Sequence, residues 1–300
     1  MQRSIAILDA PSNLGLRPPE EGSVPGCHKA PGVLRDLGIV RRLEAEDAGV
    51  LTAPRYRPHR ESGRVRNEGA IADYSAALAD RLGPMLDDGS FPLVLGGDCS
   101  IVLGIALALK RRGRHGMAVL DGLDYRHPGN SEAYGSVGGE NLALATGLGG
   151  ALTDLEGARP YLRPEDVAVA GLRPDDEFAE EAAAAGILLV ESGAVNSDPV
   201  GAAERVLDTV ARDGVDGFWI HLDADVLDPS VMPAVDTPEP GGSYPPETAA
   251  HLARLIASPA ALGMDVAIYD PDSDGDLSAG RVLCDLVVEA FDLARGPLPQ

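Results

Sequence analysis

Cysteine is scarce in this 300-residue chain: Cys27, Cys99 and Cys284 are its only three. Their spacing makes neither a metal finger nor an even disulfide set, which fits a reducing, cytoplasmic setting. Lysine is scarcer still. Lys29 and Lys110 are the only two, and the arginine bias, with abundant Ala and Gly, points to a GC-rich genome rather than to a function. Basic residues as a whole are outnumbered, 25 against 47 acidic ones, for a net charge of −22. No basic face large enough for phosphates is expected, so nucleic acid and anionic membranes are excluded as partners. Long apolar runs are missing too. None approaches membrane-spanning length, and the stretch Ile5 to Leu8 is too short for a signal peptide and reads as a first strand. Internal repeats, low-complexity tracts and composition shifts that would mark a linker are also absent.

What is present is a rhythm. Apolar strands alternate with alanine-rich helical stretches such as 70–82 and 199–212, which argues for a parallel sheet with helices on both faces. With 44% hydrophobic residues the chain can bury a sizeable core, and residues 1–300 are expected to form a single domain. The arginine-rich segment 56–67 reads as a surface excursion.

The most informative segment runs from His221 to Pro229. It follows the apolar Gly217-Phe218-Trp219-Ile220 and reads as a buried strand ending in acidic residues. On a strand, His221, Asp223 and Asp225 would share one face. Carboxylates so placed at a strand's C-terminal end suit a divalent cation. The same residues also read as an acidic strand exit with Asp228-Pro229 as its turn. Two further strands end similarly: Leu93 to Ser100 breaks into Gly96-Gly97-Asp98-Cys99-Ser100, and Met117 to Tyr125 contains Asp121-Gly122-Leu123-Asp124-Tyr125.

Taken in order, these segments resemble the signatures of the ureohydrolase family of arginases, agmatinases and formiminoglutamases. Those signatures are Gly-Gly-Asp-His-Ser, Asp-Ala-His-x-Asp, Ser-x-Asp-x-Asp-x-x-Asp-Pro and a closing Gly-Gly segment with a glutamate. Gly241 to Glu247 matches the last, and Gly26 to Arg35 is similar to the family's first helix. The resemblance runs nearly end to end and implies an α/β fold: three α/β/α layers around a central, mostly parallel eight-stranded sheet.

The family holds two manganese ions with two histidines and four aspartates. Asp121, Asp223 and Asp225 are retained at those positions, whereas Cys99, Leu123 and Tyr125 replace two histidines and an aspartate. Gly138 stands where arginases have a further, proton-transferring histidine. A leucine has no lone pair, and a phenol is a poor ligand unless ionised. The expectation is therefore no metal cofactor, or alternatively a single divalent ion, Mn or Zn, at Asp121, Asp223 and Asp225 with His221 and Cys99 as possible additional ligands. His221 reads equally as a core histidine bonded to a carbonyl or to Asp223, and Cys99 as an inert, buried thiol rather than a nucleophile. Without a cation the three aspartates repel, so at least one should hold a proton and could serve as an acid/base group or receive a cationic amine.

At the substrate end, the resemblance places Glu247 against a guanidinium group, though a first-turn helix glutamate is favoured there by the dipole alone. Asp176 falls where arginases recognise an α-amino group. His127, Tyr134 and Ser136 replace the residues that hold the α-carboxylate, which argues against an arginine-type substrate. The expected catalytic set is Asp121, Asp223, Asp225 and Glu247; the substrate-binding set is Asp176, His127, Ser136 and Glu247. Three functions stay open: an enzyme repurposed for a small amine- or amidine-containing molecule, a catalytically inactive binding subunit, and a guanidino or amidino C–N hydrolase with an altered metal site. Expected partners are a small-molecule ligand and further copies of the chain, as trimer or hexamer by resemblance.

Overall fold

The computed structural model describes residues 3–131 and 135–296. Its strands are β1 (Ile5–Ala10), β2 (Glu46–Val50), β3 (Phe91–Gly96), β4 (Gly116–Leu120), β5 (Val167–Leu172), β6 (Leu188–Glu191), β7 (Phe218–Asp223) and β8 (Ala261–Ala267). They form one eight-stranded sheet in the order β2-β1-β3-β8-β7-β4-β5-β6, and every pairing is parallel. The inner strands are buried and largely apolar, as a sheet covered on both faces requires, with Asp9, His221, Asp223 and Asp265 as the polar exceptions. The edge strand β2 is Glu-Asp-Ala-Gly-Val and mostly exposed, and its charges discourage pairing with another edge.

Helices cover both faces. On one side lie α1 (Ala30–Asp36), α2 (Ile39–Arg42), α7 (Ser192–Ser197), α8 (Pro199–Val210), α9 (Pro245–Ile256) and α10 (Ser278–Arg295). On the other lie α3 (Glu68–Asp87), α4 (Ile101–Lys110), α5 (Asn141–Ala145) and α6 (Ala179–Ala185). The two-residue alternation of each strand divides the core accordingly. In β7, Phe218, Ile220 and Leu222 pack under α8 and α9, while Trp219 turns toward α4. The expected three-layer α/β/α fold is observed.

Two expected elements end earlier than the sequence suggests. The strand read through Asp225 stops at Asp223, and Asp225 lies in a 3-10 turn, Ala224–Val226. The cause is local: Asp223 Oδ1 accepts the Asp225 N–H at 2.9 Å, closing a turn that an aspartate favours. Likewise β4 stops at Leu120, and Asp121 onward is loop. The helical stretch at 70–82 lies inside α3, and the one at 199–212 contains α8, which ends at Val210 and is capped by Asp198 accepting from Gly201 N at 2.9 Å. Segment 56–67 is a loop.

Candidate functional site

The exits of β3, β4, β7 and β8 converge at the C-terminal edge of the sheet. Register explains the first contact. β7 and β8 pair with His221 opposite Asp265, so both side chains fall on the α4 side, beside Trp219. Asp265 Oδ2 meets His221 Nδ1 at 2.7 Å, and Oδ1 accepts Trp219 Nε1–H at 2.7 Å. With both oxygens of Asp265 accepting, Nδ1 of His221 carries the proton. Its Nε2 is buried and has no hydrogen-bond partner among the described residues. Two residues on, Asp223 lies on the same face, and the buried Cys99 thiol, just past β3, donates to Asp223 Oδ2 at 2.7 Å.

The ligand atoms of Cys99, His221 and Asp223 lie within 4.8 Å of one another, as do those of Asp121, Asp223 and Asp225. Asp223 belongs to both groups. The structure thus brings together five of the residues expected from sequence, across three strands. Asp124 joins them from the β4 exit loop, its Oδ2 accepting from Asn141 Nδ2 at 2.8 Å.

So many acids in one place cannot all ionise. Burial, reinforced by the charges of Asp124, Asp223 and Asp225, pushes Asp121 well above the usual carboxylate range. Burial and then Asp225 do the same to Asp223. Asp225 is also raised by burial, although a hydrogen bond from Asp121 and the Arg173 charge hold it back. Asp121 is therefore the protonated partner that donates to Asp225. Burial and Asp225 push Asp124 to about 7, against the pull of Arg126 and His221. Burial, then the charges of Asp223 and Asp121, drives the Cys99 thiol well up, as an inert thiol among carboxylates should behave. Burial lowers His221, but Asp265 outweighs it and the net shift is upward.

Outside this cluster a cavity of about 320 Å³ opens, with Asp121, Asp124 and Asp225 at its floor. Its lining adds Asp175, Asp176, Glu177 and Glu239, against two cations among the described residues, Arg126 and Arg173. Arg173 is committed to the wall: its Nη2 donates to the carbonyls of Asp225 at 2.7 Å and Glu239 at 2.9 Å. Arg126 stacks 4.9 Å above the Phe178 ring. The cavity is an acidic mouth suited to a cationic group.

Other expected substrate residues sit differently. Asp176 lines the cavity, its Oδ1 accepting from Phe178 N at 2.8 Å. His127, Ser136 and Glu247 are not among the lining residues. His127 Nε2 pairs with Glu181 at 2.8 Å. Ser136 is buried and its hydroxyl donates to the Gly15 carbonyl. Glu247 stands half-buried in the first turn of α9. Tyr134 lies outside the described residues. Leu123 and Tyr125 are buried in the apolar cluster between the sheet and α4, and Leu123 also reaches the cavity wall.

Asp265 was not anticipated. Its signal was legible, since it is the only charge in the apolar strand Ala-Leu-Gly-Met-Asp-Val-Ala, and an ion buried in a strand needs a partner. Arg173 and Glu239 could be found only from the fold, because their roles depend on loops meeting across strands.

A model of the arginase family matches residues 4–292 of the chain. An arginase from Bacillus caldovelox is 32% identical over 255 residues, covering 80% of this chain and 82% of that protein. An arginase from Brevibacillus brevis is 28% identical over 307 residues, covering 97% and 98%. The crystal structure of the Bacillus caldovelox arginase superposes with a TM-score of 0.85 at 28% identity, covering 97% of this chain and 98% of the other.

Proposed function

The chain belongs to the arginase family, and from that membership we propose that it is a repurposed enzyme whose acidic cavity takes a small amine- or amidine-containing molecule without the family's usual two-manganese centre. The observation that carries this reading is the convergence of Asp121, Asp124, Asp223 and Asp225 behind a cavity whose rim is itself acidic. Such a field favours a protonated amine, amidine or guanidine, and charge-assisted hydrogen bonds to carboxylates would orient it.

The donor set does not fit a pair of manganese ions. Two hard dications a few ångströms apart need oxygen and imidazole donors on all sides. Here Leu123 and Tyr125 occupy two of the six positions as apolar core, and Cys99 offers sulfur at a third. The chain's own side chains supply what remains. Asp225 and Asp124, half-buried at the cavity floor, would receive the cationic group, while Asp121, which holds a proton against Asp225, is placed to give one to a departing nitrogen. Asp176 would contribute a second acceptor at the rim. Glu247 does not line the cavity and has no role in this reading. Among the described residues no helix is long and apolar enough to cross a membrane. We place the protein in the cytoplasm, acting as an oligomer of identical chains, by analogy with its relatives.

The test is calorimetry with a panel of small amines, amidines and guanidines, paired with assays for released urea and ammonia. A binding cation should lose about tenfold or more in affinity in Asp225→Asn, the worth of a charged hydrogen bond. Binding without turnover would favour the inactive binding subunit. No binding by any member of the panel would sink the reading altogether.

A further inference from the structure

We propose that Cys99, His221 and Asp223 form a site for one borderline-soft divalent cation of the zinc class. By the family resemblance Cys99 replaces a ligand histidine, His221 stands where a non-ligand serine or threonine is usual and Asp223 is a retained ligand, so the proposal concerns a different ion at a differently built site.

Three observations converge. Sγ of Cys99, a ring nitrogen of His221 and a carboxylate oxygen of Asp223 lie within 4.8 Å of one another, all on buried residues. Three atoms bound to one tetrahedral ion at about 2.0–2.3 Å must be roughly this close. Next, Nε2 of His221 is buried without a hydrogen-bond partner among the described residues, which is costly for a polar atom unless something binds it. Finally, the remaining ring nitrogen is held from behind: Nδ1 donates to Asp265, itself fastened by Trp219. A histidine whose one N–H is fixed on a carboxylate while its other nitrogen stays unpaired, close to a thiol and a second carboxylate, has the arrangement that orients metal-binding imidazoles.

The donor chemistry selects the ion. Thiolate plus imidazole favours zinc, cobalt or copper, whereas manganese and magnesium favour oxygen. Binding breaks the Cys99 S–H bond and forms an S–metal bond, the proton leaving to solvent; the contact from Cys99 to Asp223 is thereby replaced by two bonds to the ion. Three protein donors leave the fourth tetrahedral position for water or another ligand. Asp121, Asp124 and Asp225 stay available to the cavity, so the ion site stands or falls separately from the amine reading above.

The experiment uses the full chain, stripped with chelator, reloaded with zinc, manganese or cobalt, desalted and analysed for metal content. The expected result is one zinc retained per chain in the presence of excess manganese. The cobalt form should show a thiolate-to-metal charge-transfer band in the near ultraviolet, absent in Cys99→Ser. Asp265→Asn, a positioning variant, should keep the band while weakening cobalt affinity about 10–100-fold. If Cys99→Ser does not fold, the wild-type band and the Asp265→Asn titration still decide the matter. Failure to retain zinc, displacement of zinc by two manganese ions, or a cobalt spectrum without the thiolate band would each overturn the proposal, whatever the panel of cations does.

Discussion

Arg173 donates from Nη2 to the main-chain carbonyl of Asp225 at 2.7 Å, so the exit of β5 is fastened to the exit of β7 by a side chain rather than by the sheet. The same guanidinium nitrogen reaches the carbonyl of Glu239 at 2.9 Å. One residue therefore sets the spacing of three loops and places a positive charge beside the Asp225 carboxylate, lowering its tendency to hold a proton. Arg173→Ala should cost about 1 kcal/mol of stability, since it removes charged hydrogen bonds to one part-buried and one exposed carbonyl. Arg173→Lys should not restore it, because an ammonium cannot fan donors across several carbonyls. Urea unfolding of the three proteins checks this; a loss below about 0.5 kcal/mol for the alanine variant would show that the loops hold themselves.

Gly97 permits the turn that delivers Asp98 and Cys99. A Cβ on this residue would collide with the carbonyl oxygen of Ser12, an atom already accepting from Asp98 N at 3.0 Å. Neither partner can yield, since both are backbone where the exits of β1 and β3 meet. Gly97→Ala should therefore cost about 3 kcal/mol, at the upper end of overpacking penalties. A thermal transition unchanged from wild type would contradict the geometry.

His251 supplies a pH dependence remote from the cavity. Its ring is buried in α9 with Nδ1 on the Pro199 carbonyl at 3.1 Å, and burial lowers its pKa from 6.5 to about 4. The folded form thus binds the proton more weakly than the unfolded form. The stability this neutral ring contributes is present above pH 6.5 and is lost as pH falls through the window toward 4, by up to about 3 kcal/mol. His251→Asn keeps an N–H for the carbonyl and cannot titrate. The difference in unfolding free energy between the two proteins should shift over that window, and a constant difference would refute the assignment.

Asp166 tests the opposite edge of the sheet. It is fully buried just before β5 and accepts from Arg114 Nε at 2.7 Å and Arg212 Nη2 at 2.7 Å. Burial raises its pKa, but the two guanidinium groups outweigh that and the net shift is downward. Its contribution is present above the ordinary carboxylate pKa and fades as the solution is acidified below it. Asp166→Asn should destabilise by about 2–4 kcal/mol and leave ligand binding at the distant cavity unaltered. Equal loss of stability and of affinity for a cavity ligand would mean that the two edges are coupled.

The acidic cluster makes a separate prediction in the stripped protein. Asp124→Asn removes one like charge from a crowded group, and at pH 8, above the Asp124 value of about 7, it should raise stability by about 1 kcal/mol. At pH 5, where Asp124 is already protonated, the gain should vanish. Differential scanning at both pH values distinguishes this from a substitution that breaks the Asn141 contact, which would destabilise at either pH.

How far the sequence reached differs from element to element. The parallel sheet was legible because strands covered on both faces must be continuously apolar, and because Gly96-Gly97-Asp98 and Asp223 to Asp225 mark strand exits by composition alone. That Asp121, Asp223, Asp225, Cys99 and His221 share one site was an expectation of the family resemblance, helped by His221, Asp223 and Asp225 lying along a single strand and its exit. What composition could not reveal was pairing across strands. Asp265 became the partner of His221 because β8 lies beside β7 in one register, and a shift of one residue would have turned it to the opposite face. The strand boundary at Asp223 depended on a side-chain hydrogen bond that competes with the ladder. The cavity rim, from Arg173 to Glu239, depended on three loops folding over one another. Side-chain period and residue type are properties of the chain and determine which edge carries the acids; register and loop approach arise only when distant segments pack, and they alone decided which of those acids line the cavity and which partner His221 takes.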